Sequence, residues 1–219
     1  DSETQLMFLS YSISQLMRFS DSFSLFQTLS TKLNSLDFLS VCNEKLRRLF
    51  YTNTVLNLIR DQSTNKFSCN QDGRDMRYEI DQENSSISSS LSNQDVIMLN
   101  EINISDAPRL DVVLNPNGFP SIILPTGQDS AFLIISENSN NVFTPEDQIV
   151  AIFLSHLLTP LYEEHLNFLN LLKQTELRRS IHLFQKELIN KTNCLQLLPF
   201  LYSSISGFTG ANDIELFFL

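Results

Sequence analysis

The stretch Ala131-Phe132-Leu133-Ile134-Ile135-Ser136, then Phe143-Thr144-Pro145-Glu146-Asp147 running into Ile149-Val150-Ala151-Ile152-Phe153-Leu154, decides how this chain is read. Its first part is a short, unbroken apolar run of strand length, suited to the centre of a sheet. Its second part starts a helix. Thr144 offers an N-cap oxygen, Pro145 has the fixed φ that suits the first helical position, and Glu146 and Asp147 complement the positive end of the helix dipole. From there Leu154, Leu158, Leu161, His165, Phe168 and Leu172 recur at steps of four and three. After a phase break, Leu177, Ile181, Phe184 and Leu188 resume the stripe. The spacing predicts one long helix, with a kink near Leu157 because Pro160 removes a backbone hydrogen bond.

Before this stretch, Ile122 to Leu124 and the Gly127 turn predict a strand that pairs with the Phe132 to Ile135 strand. Pro116-Asn117-Gly118 is a turn, Arg109 to Leu114 reads as a short helix or an extended segment, and Val96 to Leu99 reads as a strand. In the Ser-rich stretch from Asn84 to Asn93, Ile87 and Leu91 lie four apart and would anchor one short helix. Thr54 to Ile59, Lys66 to Cys69 and Met76 to Ile80, the last after an Asp72-Gly73 turn, read as a meander of strands. A helix from Leu36 to about Phe50, with Asn34 as N-cap, presents Phe38, Leu39, Cys42, Leu46 and Leu49 on one face. The first 33 residues carry Leu6, Leu9, Ile13, Leu16, Ser20 and Phe23 at seam spacing, widened by Phe19, Phe26, Leu29 and Leu33. That width predicts burial against the sheet and a partner together.

The quoted stretch resembles the last strand, the Phe-Thr/Ser-x-x-Asp turn and the terminal helix of the GAF family. Val96 to Leu110, with Ile104-Ser105-Asp106-Ala107-Pro108-Arg109, is similar to that family's strand ending in an Asp-Ala turn before a short helix. With the order of elements, the resemblance spans roughly residues 5 to 170. It implies an α+β fold: a central antiparallel sheet of about six strands, long N- and C-terminal helices on one face, and short helices and loops closing a small-molecule pocket on the other. Asp106, Arg109 and Ser136 are the pocket candidates it suggests. It also implies a regulatory role, since GAF domains bind cyclic nucleotides, bilins, haem or small metabolites, or hold dimers together. The cyclic-nucleotide subfamily carries an Asn-Lys pair after the last strand, where this chain has Ser136 and Glu137. Glu137 facing Asp147 would repel it in place of the family's ion pair.

Other chemistry is sparse. Twenty-five acidic against fifteen basic residues leave a formal charge of −10, which disfavours nucleic acid and anionic lipid. The three cysteines show neither a disulfide framework nor zinc-ligand spacing, and Cys69, the one outside a helix pattern, reads as a buried structural thiol. His156, His165 and His182 all fall on the long helix, where His165 reads as a register-setting seam residue and not a ligand. No nucleophile elbow, phosphate loop or His-Glu-x-x-His motif is present, so the segment is expected to be non-catalytic and to hold no metal. No apolar run is long enough to span a membrane, and the expected setting is cytoplasmic, with cytoskeletal association as a variant.

Shifting the chain by 159 positions carries Leu29 onto Leu188, Lys32 onto Lys191, Asn34 onto Asn193 and Leu36 onto Leu195. The expected organisation is therefore a seam helix over 1–33, a GAF-like domain over 34–170, a connecting helix over 171–191 and the start of a second copy over 192–219, the whole an excerpt of a longer protein. Three functions are consistent with it. The first is a sensory module that transmits ligand or dimer state through its flanking helices, with protein partners that include a homodimer. The second is a scaffold module in a cytoskeletal or ciliary assembly, with a vestigial pocket. The third is the regulatory region of a cyclic-nucleotide phosphodiesterase or cyclase. No cofactor is specified.

Overall fold

A computed structural model describes residues 2–61, 66–71, 74–78, 85–101, 104–190, 199–203 and 206. The chain divides into two compact units, residues 1–167 and 168–219. In the first, α1 (Ser2–Ser30) and α2 (Phe38–Leu49) precede strands β1 (Thr54–Asp61), β2 (Lys66–Gln71) and β3 (Arg74–Tyr78). There follow α3 (Ser86–Asn93), β4 (Ile97–Leu99), α4 (Arg109–Leu114), β5 (Ser121–Gly127), β6 (Ser130–Ile135) and the start of α5 (Pro145–Asn190). The six strands form one antiparallel sheet in the order β3-β2-β1-β6-β5-β4, so β6 is central, as its apolar run predicts. Its register with β1 runs from Thr54 opposite Ile135 to Ile59 opposite Ser130.

Side chains alternate along the strands and so divide between two cores. Val55, Ile122, Leu124, Phe132 and Ile134 point into the helical layer, where they meet Leu25, Leu29, Phe38, Leu46, Leu154 and Leu158. Leu56, Leu58, Phe67, Ile123, Leu133 and Ile135 point to the other face, against Ile87 and Leu91 of α3 and Leu110 and Leu114 of α4. This is the α+β, GAF-like arrangement, with α1, α2 and α5 on one face. Arg109–Leu114, left open between helix and extended chain, is helical. The β5–β6 hairpin closes at Gly127, whose φ of 152° strains any residue with a β-carbon, and the register shifts there between Pro125 and Gly127.

Two details of the helices differ from expectation. Helix α2 begins at Phe38 and not at Leu36, and Asn34 does not cap it: Asp37 holds the N-cap position without a side-chain bond, while Ser35 Oγ accepts from the Asp37 amide at 3.2 Å. The anticipated face is otherwise correct, with Phe38, Cys42, Leu46 and Leu49 buried. The larger correction concerns α1. Its seam residues Leu6, Leu9, Ile13, Leu16 and Phe23 are 53–69% exposed, and the inward face belongs to Ser22, Leu25 and Leu29. Leu16 and Leu25, like Ile13 and Ser22, stand nine residues apart, about two and a half turns, and so lie on opposite sides of the helix. The stripe is present, but among the described residues it stays exposed.

Helix α5 runs from Pro145 to Asn190 with Pro160 inside it. In the first unit its predicted seam is buried at Leu154, Leu158, Leu161 and His165. In the second unit residues 170–183 are exposed, residues 199–203 are helical, and the Phe184 and Phe200 rings stack at 5.4 Å. The rest of the expected second copy lies outside the described residues.

Candidate functional site

The face on which the resemblance places a ligand is the one beneath α3 and α4. Helix α3 is capped by Ser85, whose hydroxyl oxygen accepts from the Ser88 amide at 3.0 Å. Asp111, on α4, adds a second cap from across the layer, its Oδ2 accepting from the Ser86 amide at 3.0 Å. Asp111 is buried, and its Oδ1 has no hydrogen-bond partner among the described residues. The sequence reading overlooked it because the group it caps lies 25 positions away. Between α3, α4 and the sheet, Leu56, Leu58, Cys69, Ile87, Leu91 and Leu133 are each at most 4% exposed, so apolar side chains fill this part of the layer. Cys69 is a buried cysteine there, as its strand position suggested.

The three pocket candidates are not assembled into one constellation. Asp106 and Arg109 are both exposed, on the segment leading into and opening α4, where Pro108 holds the N-cap position. Ser136, at the end of β6, is buried, and its hydroxyl is directed at the carbonyls of Asn138 (3.0 Å) and Asn141 (2.7 Å). That bonding shapes the loop into α5. Among the described residues no group of three His, Cys, Asp or Glu is placed to hold a metal ion, and no helix is long and apolar enough to cross a membrane.

A densely bonded polar site lies on the opposite face, where α1 meets the first turn of α5. Thr144 and Asp147 form a reciprocal cap: Asp147 Oδ2 accepts from the Thr144 amide at 2.7 Å, and Thr144 Oγ1 accepts from the Asp147 amide at 3.3 Å. The other Asp147 oxygen pairs with Arg18 of α1, which also reaches the Leu49 carbonyl at 3.5 Å. Asp147 therefore has a cation partner, supplied by α1 and not by the end of β6. The expected repulsion from Glu137 is replaced by separate bonding, because Glu137 accepts from Asn53 Nδ2.

Beside this pair, the Tyr11 hydroxyl donates to Glu146 at 2.8 Å. Glu146 is held below the ordinary carboxylate range by its own backbone amide and then by Tyr11 and Thr144, while Tyr11 is raised by its bond to Glu146. Phe153 packs in T-shaped contacts with Phe19 and Phe23, ring centroids 5.3 and 5.4 Å apart. Farther along, His165 Nδ1 lies 2.8 Å from the Leu33 carbonyl, which only accepts, so Nδ1 carries the proton. The His165 ring stacks on Phe38 at 4.3 Å. These contacts advance together along both helices, so α1 and α5 run parallel.

No family model matches the chain, and no curated protein matches it in sequence. Solved structures do match in shape. A GAF domain from a phosphoenolpyruvate-protein phosphotransferase (ptsP) of Coxiella burnetii aligns at 12% identity and a TM-score of 0.50, covering 68% of this chain and 96% of that one. The GAF domain of the Acinetobacter phosphoenolpyruvate-protein phosphotransferase aligns at 8% identity and 0.49, over 66% of this chain and 92% of that one. Residues 122 to 287 of a methyl-accepting chemotaxis protein align at 15% identity and 0.48, over 65% of this chain and 98% of that one. At such identities the likeness is one of architecture, and the architecture is GAF-like.

Proposed function

We propose that this chain is a non-catalytic GAF-like regulatory module in which two copies associate through the outward face of α1, and that α5 carries the state of that association onward. The observation behind this is the exposed stripe of Leu6, Leu9, Ile13 and Leu16. It repeats at the three- and four-residue steps that interlock helices side by side, and it lies opposite the face that packs on the domain. Ile149 on neighbouring α5 is exposed as well. Because α1 and α5 run parallel and are joined by Arg18 and Asp147, a shift of α1 in a dimer would be felt at the first turn of α5.

Sedimentation equilibrium tests this. The wild-type chain should dimerise at micromolar concentration, and Leu9→Ser with Leu16→Ser should return it to monomer without loss of helical circular dichroism. A wild-type chain that stays monomeric at all concentrations contradicts the reading.

A second reading, a scaffold module whose ligand pocket is vestigial, is favoured by the packing of Leu56, Leu58, Ile87, Leu91 and Leu133 where the resemblance would place a ligand. On that reading Asp106 serves the turn into α4 and Arg109 is a solvated surface group. Cyclic AMP or cyclic GMP at millimolar concentration should leave the thermal midpoint unchanged, because a ligand stabilises only the state it binds. A rise in midpoint that Arg109→Ala abolishes would restore the pocket.

A further inference from the structure

A cavity of about 200 Å³ opens between α1 and the last turn of α2, in the helical layer and so on the other side of the sheet from α3 and α4. It is smaller than the ~300–1,000 Å³ typical of drug-sized ligands, so its occupant must be small. Asp21 and Ser24 of α1 face Lys45 and Arg48 of α2 across it, and Leu25 and Leu49, both buried, form its floor. Two of its cations are already answered by carboxylates, Arg48 by Glu44 and Arg18 by Asp147. Asp21 and Lys45 are of opposite sign and line the same cavity without pairing with each other.

That arrangement selects by charge. A simple anion drawn to Lys45 would meet Asp21, and a simple cation drawn to Asp21 would meet Lys45. A zwitterion with both charges on one carbon satisfies the two walls together. Tyr51 stands at the rim, 77% exposed, with a φ of 52°. It follows the α2 C-cap, a position where glycine is the unstrained choice.

We propose that this cavity is a binding site for a free α-amino acid. The ammonium group sits on Asp21 beside the Ser24 hydroxyl, the carboxylate on Lys45 and Arg48, and the side chain on the Leu25–Leu49 floor beneath Tyr51. The site is distinct from the α3/α4 face and does not depend on association of two copies. Its occupant would touch Arg18, which lines the cavity and holds Asp147 at the first turn of α5.

Titration of the whole chain with L-leucine and with L-serine, followed by amide NMR, tests the proposal. Saturable shifts are expected at residues 18–25 and 45–51. Isoamylamine and 4-methylpentanoate, the two halves of leucine, should each bind about tenfold more weakly than L-leucine, the loss of one charge-assisted contact. Asp21→Asn and Lys45→Met should each weaken L-leucine by a similar factor. If either variant is unfolded by circular dichroism, Arg48→Gln, whose side chain is 71% exposed, serves in its place. The proposal is overturned if neither amino acid gives saturable shifts, if the shifts map elsewhere, if either half binds as tightly as L-leucine, or if the folded variants bind unchanged.

Discussion

His165 joins three elements through one ring: it extends from α5, stacks on Phe38 of α2 and donates to the Leu33 carbonyl beyond α1. Replacing it with alanine removes the stack and leaves a carbonyl unpaired, so His165→Ala should destabilise the domain by about 2–4 kcal/mol in urea unfolding. His165→Phe, which keeps a ring, should cost about 1–3 kcal/mol for the unpaired carbonyl alone. Tyr162 makes a comparable link, its hydroxyl donating to Asn57 Oδ1 of β1 at 2.9 Å inside the helical core. Burial pushes the Tyr162 phenol up from its ordinary value of 10.0. The folded state thus favours the neutral phenol, so its contribution to stability is complete below pH 10.0 and is lost as pH rises through the elevated value. Phenolate absorbance should show one tyrosine that ionises only with unfolding, and Tyr162→Phe should remove that component. Glu146 has the opposite sign. Its carboxyl is lowered from 4.5, so its contribution is present above that pH and fades as pH falls through the lowered value. In Tyr11→Phe, which lacks the hydroxyl donor, carboxyl NMR should show Glu146 titrating at a higher pH.

At the scale of elements, the β6–α5 stretch was legible because local chemistry determined it. An apolar run marked β6, and Thr144, Pro145 and Asp147 marked the start of α5 within four residues. Substituting Asp147 removes both the reciprocal cap and the bond to Arg18, so Asp147→Ala should cost about 1–3 kcal/mol. Leu154→Ala, about two turns deeper and fully buried, should cost about 2–5 kcal/mol through its cavity. Thermal or urea unfolding of both variants checks the order. The partners that give α5 its place were not legible. Arg18 is 129 positions from Asp147, and Asp111 caps α3 through a bond that no periodicity encodes. Periodicity likewise found the α1 stripe at Leu9, Ile13 and Leu16 but could not say what covers it, since spacing defines a face and not its partner.

For the whole molecule, the sheet carries two different layers. Under α3 and α4 the apolar packing is closed around Leu58, Ile87 and Leu91, whereas the helical layer ends in an apolar stripe open to solvent and a small cavity with charged walls. Both surfaces proposed to act, the α1 stripe and the cavity, lie on the helices. The most direct test is the distance between two copies, read by pulsed electron spin resonance on nitroxides attached to Ser10→Cys and, separately, to Met17→Cys, exposed positions beside the stripe, in a background lacking Cys42, Cys69 and Cys194. Helices in contact lie ~8–10 Å apart, so at least one of the two positions should give a short distance. No dipolar coupling at either position would contradict association through α1.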